Sequence, residues 1–532
     1  FPNGTYLVSD SITWGTDGQT RPFMGVTMQG QSRDGTILKF PDNMAKAQVN
    51  GNRIAMFRTG VAPAQRFRNN IRNMTINTGR GNPYAVGAQF NASNYGTFQD
   101  VKIISEDGAG FAGLDMGFTN EIGPLLVKNL VVQGYDYGIL TTNTINSQTF
   151  ENITLTGQKK TAFHCLGQVV SIRNFTSVNS VPAMHLSGGS LAVVVDASFT
   201  FNGTTGADTA NAIVNQNGAV LYVRNLATPG YASAINNQGG PKVGKIPTKQ
   251  EPIAEWISHG PISLFESPAT SLHLPVEETP DVPWDDMSQW ANVISYGAIA
   301  DDDIDDADAI QAAIDAGKST VYFPWGTYKI GAEKTVEIRG NVRRLIGCQA
   351  NIRKDLLSTN ITPAFVMKDG AGLPPVVVIE RLDGAAGARV AFWEMRASNR
   401  TMVIKNGTGK IDGYAGKIFV EDVASSDCYF KDCKVWARQF NIENSWMDSP
   451  TRSKIYNDNA EVWVLGLKTE RHGSIVRTAN GGKSEILGGF SYTTEDPKTF
   501  PMFVNELSSM SAVFAEVPGQ GRYDTLIAES RH

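Results

Sequence analysis

The chain of 532 residues has only four cysteines, Cys165, Cys348, Cys428 and Cys433, and only six histidines. The cysteine spacing fits neither a zinc site nor a disulfide framework. Cysteine is among the most buried residue types, so buried free thiols are expected. No His or Cys grouping has metal-ligand spacing, so neither a metal nor another cofactor is expected. No apolar run approaches a membrane span, which argues against a membrane partner. There is no basic stripe. Lys and Arg number 47 against 52 Asp and Glu, a net charge of −5, which argues against nucleic acid and suits a neutral or acidic polymer. Sequons such as Asn152-Ile153-Thr154 recur, but several fall inside predicted strands, where a glycan does not fit.

What is present is β structure with many turns. Gly is abundant, with 53 copies, and Val, Ile, Thr and Asn crowd into short runs. The hexapeptide Phe1-Pro2-Asn3-Gly4-Thr5-Tyr6 returns as Phe323-Pro324-Trp325-Gly326-Thr327-Tyr328. Before the second copy the pattern predicts a strand at Val293 to Ala298, an amphipathic helix from Ala307 to Ala316, and a strand at Thr320 to Phe323. The first copy lacks these parts, as if trimmed in mid-motif.

A ladder of Asn or Asp followed by an apolar residue runs through the first half. Its members are Asn73, Asp100, Asn129, Asn152, Asn174, Asp196 and Asn225, spaced 22 to 29 residues apart. Each sits at the same place in a short alternating run, the signature of one rung of a parallel β-helix. Asn suits the bends because it tolerates left-handed backbone angles, and stacked Asn side chains bond one another. A β-sandwich with regular strands is the competing reading.

Residues 241–291 are Pro-rich, with little alternation, and read as an extended interdomain linker. Their Trp256, Trp284 and Trp290 predict that the segment packs against a domain surface. Asp301, Asp302, Asp303, Asp305, Asp306 and Asp308 open the helix without an EF-hand pattern, so a helix N-terminal role is expected. Later rungs include Thr401 to Lys405, Lys417 to Val423, Glu461 to Gly466, Ser484 to Phe490 and Ser511 to Glu516. The expected fold is all-β: two tandem right-handed parallel β-helices side by side, 1–240 and 292–532, with a short capping helix before the second.

The stretches Ile294 to Ala298, Ala309 to Asp315 and Val321 to Tyr328 resemble the N-terminal signature of the pectate-lyase-like superfamily. Its tandem occurrence resembles glycoside hydrolase family 55, whose members are exo-β-1,3-glucanases. That resemblance implies an active site in the cleft between the two β-helices and hydrolysis with inversion. Trp436-Ala437-Arg438-Gln439 and Leu465 to Glu470 also resemble bacterial glycosidase-like relatives.

Inverting hydrolysis needs a carboxylic acid on the leaving oxygen and a base or polar groups holding a water opposite. Glu470 ends an apolar rung and is followed by Arg471 and His472. The family resemblance implies that Glu470 corresponds to the glutamate of a Glu-His pair. It also places Thr493 at the general-acid position, which leaves Glu485 and Glu495 as the nearest carboxylates. Gln148 and Ser171, about one rung apart, fit the family's water-holding Gln and Ser by type and spacing. Each of these has an equally ordinary reading as a rung-surface residue. Gln168, Arg438, His472, Trp436 and Tyr135 are the candidate substrate contacts: rings stack on sugar C–H faces and Arg pairs with a uronate carboxylate. Tyr137, Trp393, Trp446, Trp463, Asp115, Asp136 and Asp412 are secondary candidates.

The resulting expectation is a secreted or periplasmic inverting exo-glycoside hydrolase acting on a β-glucan or related polysaccharide. A polysaccharide lyase on a uronate polymer and a non-catalytic, tailspike-like glycan binder stay open as alternatives.

Overall fold

The computed structural model describes residues 1–14, 24–60, 67–119, 123–141, 146–204, 206–216, 218–238, 241–249, 251–385, 390–443 and 452–531. Contacts divide the chain into two compact units, Phe1–Thr270 with Val513–Ala515, and Ser271–Ala512 with Glu516–His532.

The first unit is a parallel β-solenoid. One sheet runs from Gly4–Leu7 through Asn70–Asn77, Gly96–Ile104, Leu125–Gln133, Ser147–Thr156, Val169–Asn179 and Leu191–Phe201 to Val220–Ala227. A second sheet runs alongside it, from Ile12–Thr13 to Ser233–Asn237. Each strand pairs in parallel with its counterpart one rung along, as Leu125–Gln133 does with Ser147–Thr156. All seven ladder residues have left-handed angles, φ 53 to 57°. Their side chains bond along the stack: Asn129 Nδ2 donates to Asp100 Oδ1 at 2.7 Å, Asn152 to Asn129 at 2.9 Å, and Asn174 to Asn152 at 2.8 Å. The bend that the ladder predicted is thus its physical cause. Inside, rings meet edge-on both within a rung, Phe163 on Phe150 at 4.9 Å, and between rungs, Phe175 on Phe199 at 4.7 Å.

The chain then turns back on itself. Gly244–Pro247 and Ile253–Ile257 pair antiparallel with the last strand of each sheet. Part of the stretch expected as linker therefore closes the two sheet edges that the last rung would leave open.

The second unit repeats the plan, with parallel sheets running from Trp290–Asn292 to Ser509–Pro518 and from Val336–Glu337 to Thr525–Ser530. Its opening differs from the sequence pattern in one place. Val293–Tyr296 is a 3-10 turn, capped by Asn292 Oδ1 accepting from Ile294 N at 3.1 Å, and the strand lies just before it. The helix Ala307–Asp315 is found as expected and buries Ile310, Ala313 and Ile314 against the first rung. The aspartates before it serve the cap: Asp306 accepts from Ile299 N at 2.8 Å and Lys329 N at 2.9 Å, and Asp301 from Thr327 N at 2.9 Å.

The repeated hexapeptide folds the same way twice. Tyr6 OH donates to Pro2 O at 2.9 Å and Tyr328 OH to Pro324 O at 3.1 Å. Phe1 meets Tyr6 edge-on at 5.7 Å, as Phe323 meets Tyr328 at 5.9 Å. Gly4 and Gly326 share φ of 150 and 139°, which only glycine adopts freely. Of the four cysteines, which are all free, three are buried as expected, whereas Cys348 is exposed.

Candidate active site

Alternation puts Glu485 on the outer face of its strand, Lys483–Thr493, but that face is covered. Residues 271–285 lie across the rungs of the second unit as a strap, running from the last rung towards the first. Leu272 N donates to Ser511 Oγ at 3.2 Å, and His273 N and Leu274 N donate to the two Glu485 oxygens at 2.9 and 3.2 Å. Further down, Trp436 Nε1 donates to Pro275 O at 2.9 Å and Arg438 to Glu277 O at 2.8 Å. Lys417 grips Glu277 at 2.6 Å, Thr279 bonds Glu421, and Arg344 reaches Val282 O. Glu485 and Arg438 have no exposed surface and Trp436 has 4%. These three candidates fasten the strap, which leaves them no surface to offer a substrate. Thr493 is likewise structural, donating to Gly521 O at 2.6 Å and accepting from Gly519 N at 3.0 Å.

The first-unit candidates Gln148 and Ser171 are also buried, on opposite faces of the sheet. Gln148 pairs in register with Leu125 and Val170, and Ser171 with Thr149 and Val193. Leu125 and Val170 belong to the core of the coil. A one-residue offset flips a strand side chain to the other face, so Gln148 and Ser171 do not converge on one water. Gln148 is fully buried, and neither of its amide atoms has a hydrogen-bond partner among the described residues. Gln168 is buried and accepts from Asn146 N at 3.0 Å. Tyr135 is in the core, with its hydroxyl 2.9 Å from Thr78 Oγ1, and burial pushes its phenol pKa up. Among the secondary candidates, Asp412 is buried on Lys410 Nζ at 2.9 Å, Trp393 and Trp463 are buried, and Trp446 lies outside the described residues.

Glu470, His472 and Glu495 are brought together and keep access to solvent. The strand Glu461–Glu470 carries Lys468 and Glu470 to its end, and Arg471 turns the chain with φ 68°. Lys468 Nζ sits 2.5 Å from Glu470 Oε1 and also bonds Glu443. His472 Nδ1 bonds Glu495 Oε2, and Arg471 lies 3.5 Å from Glu495. The histidine's carboxylate partner is therefore Glu495, where the family resemblance implied Glu470. The side chains of Glu470 and Glu495 are 31% and 38% exposed, enough to meet a substrate.

Beneath them lies Lys454, with no exposed surface. Its Nζ donates to Thr469 Oγ1 at 2.6 Å and to Glu470 O. Burial pushes its pKa down to about 7; Glu443, Glu470 and Glu495 pull upward, and the Lys468 charge adds to the depression. Glu443 and Lys454 come from the two sides of one rung and Lys468 from the next, and no local motif marks them in the sequence. No His, Cys, Asp and Glu grouping among the described residues could hold a metal ion.

The model of the rhamnogalacturonase A/epimerase, pectate lyase-like family matches residues 1–208 and 290–353, more than half of the chain. The chain belongs to this family. The second matched stretch begins at the opening strand of the second unit, so the pectate lyase-like pattern covers the opening rungs of both coils. No curated protein gives a significant match. Among solved structures the chain is similar to ORF18 of Geobacillus virus E2, at 15% identity and TM-score 0.27, covering 46% of this chain and 62% of the viral one. It is also similar to sacteLam55A from Streptomyces sp. SirexAA-E, at 11% identity and TM-score 0.39, covering 99% of this chain and 88% of that one. A further similarity is to a mutant of the PL6 family alginate lyase AlyGC, at 10% identity and TM-score 0.19, covering 99% and 96%. At such scores these likenesses carry no argument about activity.

Proposed function

We propose that the chain is a carbohydrate-active enzyme that hydrolyses glycosidic bonds at the Glu470–His472–Glu495 cluster. One observation carries the reading. The strap covers Glu421 and Glu485 in the sheet that also carries Glu470, whereas Glu470 and Glu495 stay partly exposed around a basic turn. Membership of a pectate lyase-like family described by a rhamnogalacturonase supports a polysaccharide as the substrate class.

Hydrolysis with inversion needs two carboxyls ~6.5–9.5 Å apart, to leave room for a water. Glu443 and Glu470 flank a single ammonium nitrogen, which holds them closer than that. The reacting pair is then Glu495 with Glu470, one giving its proton to the leaving oxygen and the other receiving the water's. His472 and Arg471 fix Glu495, and Lys468 fixes Glu470. The finer reading is an exo-acting, inverting hydrolase of a β-glucan or related polysaccharide, working as a secreted or periplasmic protein.

The test is a glycan panel assayed with the intact chain beside Glu470→Gln and Glu495→Gln. Each variant is expected to lose about 10²–10⁴-fold in turnover, the usual worth of a positioned acid or base. Wild-type turnover in both would refute the site. Rising ultraviolet absorbance from an unsaturated product would instead establish a polysaccharide lyase acting on a uronate polymer.

A further inference from the structure

We propose that a concavity on the first unit binds the anionic groups of an acidic glycan. It encloses about 460 Å³ and is lined by Arg53, Tyr84, Phe111, Asp136, Lys159 and Lys160, among others. The inference concerns binding alone and does not rest on the hydrolase reading.

The concavity is organised around a fixed guanidinium. Arg53 lies over the Phe111 ring, 3.6 Å from its centroid. Phe111 packs on Tyr137 at 5.6 Å, Tyr137 stacks on His164 at 5.9 Å, and His164 stacks on His185 at 5.0 Å. This row of rings climbs the solenoid one rung at a time, so the platform under Arg53 is rigid. Arg53 donates no hydrogen bond among the described residues. The carboxylate nearest to it, Asp115, is 4.0 Å away and fully buried. Asp115 already accepts from Gln89 Nε2 at 3.2 Å and Gly117 N at 2.9 Å.

Lys159 has neither an ion pair nor a side-chain hydrogen bond among the described residues. Lys160 pairs with Asp136 at 2.8 Å, and Asp136 is the one carboxylate of the lining. The lining therefore presents three cations and one anion, with Lys159 unpaired among the described residues and Arg53 paired only at 4.0 Å, with Asp115. Arg's planar fork matches a carboxylate bidentately, and a guanidinium already held over a ring loses little freedom in binding. The Tyr84 and Phe111 rings offer apolar area suited to sugar C–H faces. The volume falls in the range of small-ligand sites, ~300–1,000 Å³. The chain's overall net charge of −5 disfavours extended nucleic acid as the occupant.

The experiment is calorimetric titration of the full chain carrying Glu470→Gln, which keeps the ligand intact. The probes are a uronic acid oligomer, a sulfated oligomer and a neutral β-glucan oligomer of matched length, at low ionic strength. The uronate oligomer is expected to bind, to weaken with added salt, and to lose about tenfold or more in affinity in Arg53→Gln/Lys159→Gln. Phe111→Leu, which keeps all charges but removes the platform, is expected to weaken it less. Sulfated oligomer binding as well would mean that charge dominates; uronate binding alone would mean that the fork geometry does. Thermal melts of each variant separate lost binding from lost folding. The proposal is overturned if no anionic oligomer binds below ~1 mM, if the neutral oligomer binds equally well, or if a folded double variant binds as tightly as its parent.

Discussion

The two coils solve the same bend in different ways. In the first, every member of the ladder is Asn or Asp, and the side chains bond rung to rung. In the second, the matching positions are Arg381, Asn406, Asp422, Gln439, Gly466 and Gly488, at φ 47 to 81°. The backbone demands a left-handed residue at this point in both. The second coil keeps one such bond, Asn406 Nδ2 donating to Asp422 Oδ2 at 3.5 Å, but its last two positions are glycines, so the bend does not require a stack. In the second coil two glycines meet the demand with no side chain at all.

The comparison can be strained at its core first. If both coils are one design, truncating an inward ring should cost each alike. Phe150→Ala and Phe430→Ala, both fully buried, should each cost about 3–5 kcal/mol in denaturant melts. A several-fold smaller cost in one coil would show that its rungs are held by something other than their core.

The bend itself is next. Gly466→Ala should cost about 1–2 kcal/mol, because alanine resists left-handed angles. Asn152→Gly keeps the angle and removes two stack bonds, at 2.9 and 2.8 Å, and should cost about 1 kcal/mol. An Asn152→Gly variant as stable as the parent would mean that the stack adds nothing beyond the angle.

The units also differ in the pH dependence of their stability, at opposite ends of the scale. Lys454 has its pKa lowered to about 7 from 10.5, so the folded state releases a proton that the unfolded chain keeps. Its penalty is full below about pH 7 and fades as pH rises towards 10.5. Lys454→Met should flatten that alkaline rise in stability. His164 in the first unit is lowered to about 4, by burial first and then by the His185 charge. Its penalty is full below about pH 4 and gone above 6.5, so His164→Gln should flatten stability across that acid window. An unchanged profile in either variant would remove that group from the account.

The same contrast explains what could be read from the chain. The first coil was legible because its bend residues share one chemistry and one spacing. The second was legible from its opening motif and from strands such as Thr401–Lys405, while its bends, spread over five residue types, were not. The candidate site was harder. Alternation correctly puts Glu485 on an outward face, but whether that face is bare depends on His273 and Leu274, more than two hundred residues earlier. Gln148 and Ser171 matched by type and approximate spacing, yet a one-residue register difference separates their faces. Glu470, His472 and Glu495 could be named from the sequence because they are close in it. Glu443, Lys454 and Lys468 complete the group only through stacking, which no local pattern records.

The strap also bears on how the second coil is assembled. During synthesis its residues emerge before every rung they will cross, and its leading end must wait for Glu485 and Ser511, the last partners to be made. Contacts so distant in sequence form slowly, because the intervening loop must be closed first. The coil can grow rung by rung from its cap, but its outer face is sealed only after Glu485 and Ser511 have been made. Loss of the final rungs would therefore loosen a covering that was laid down long before them.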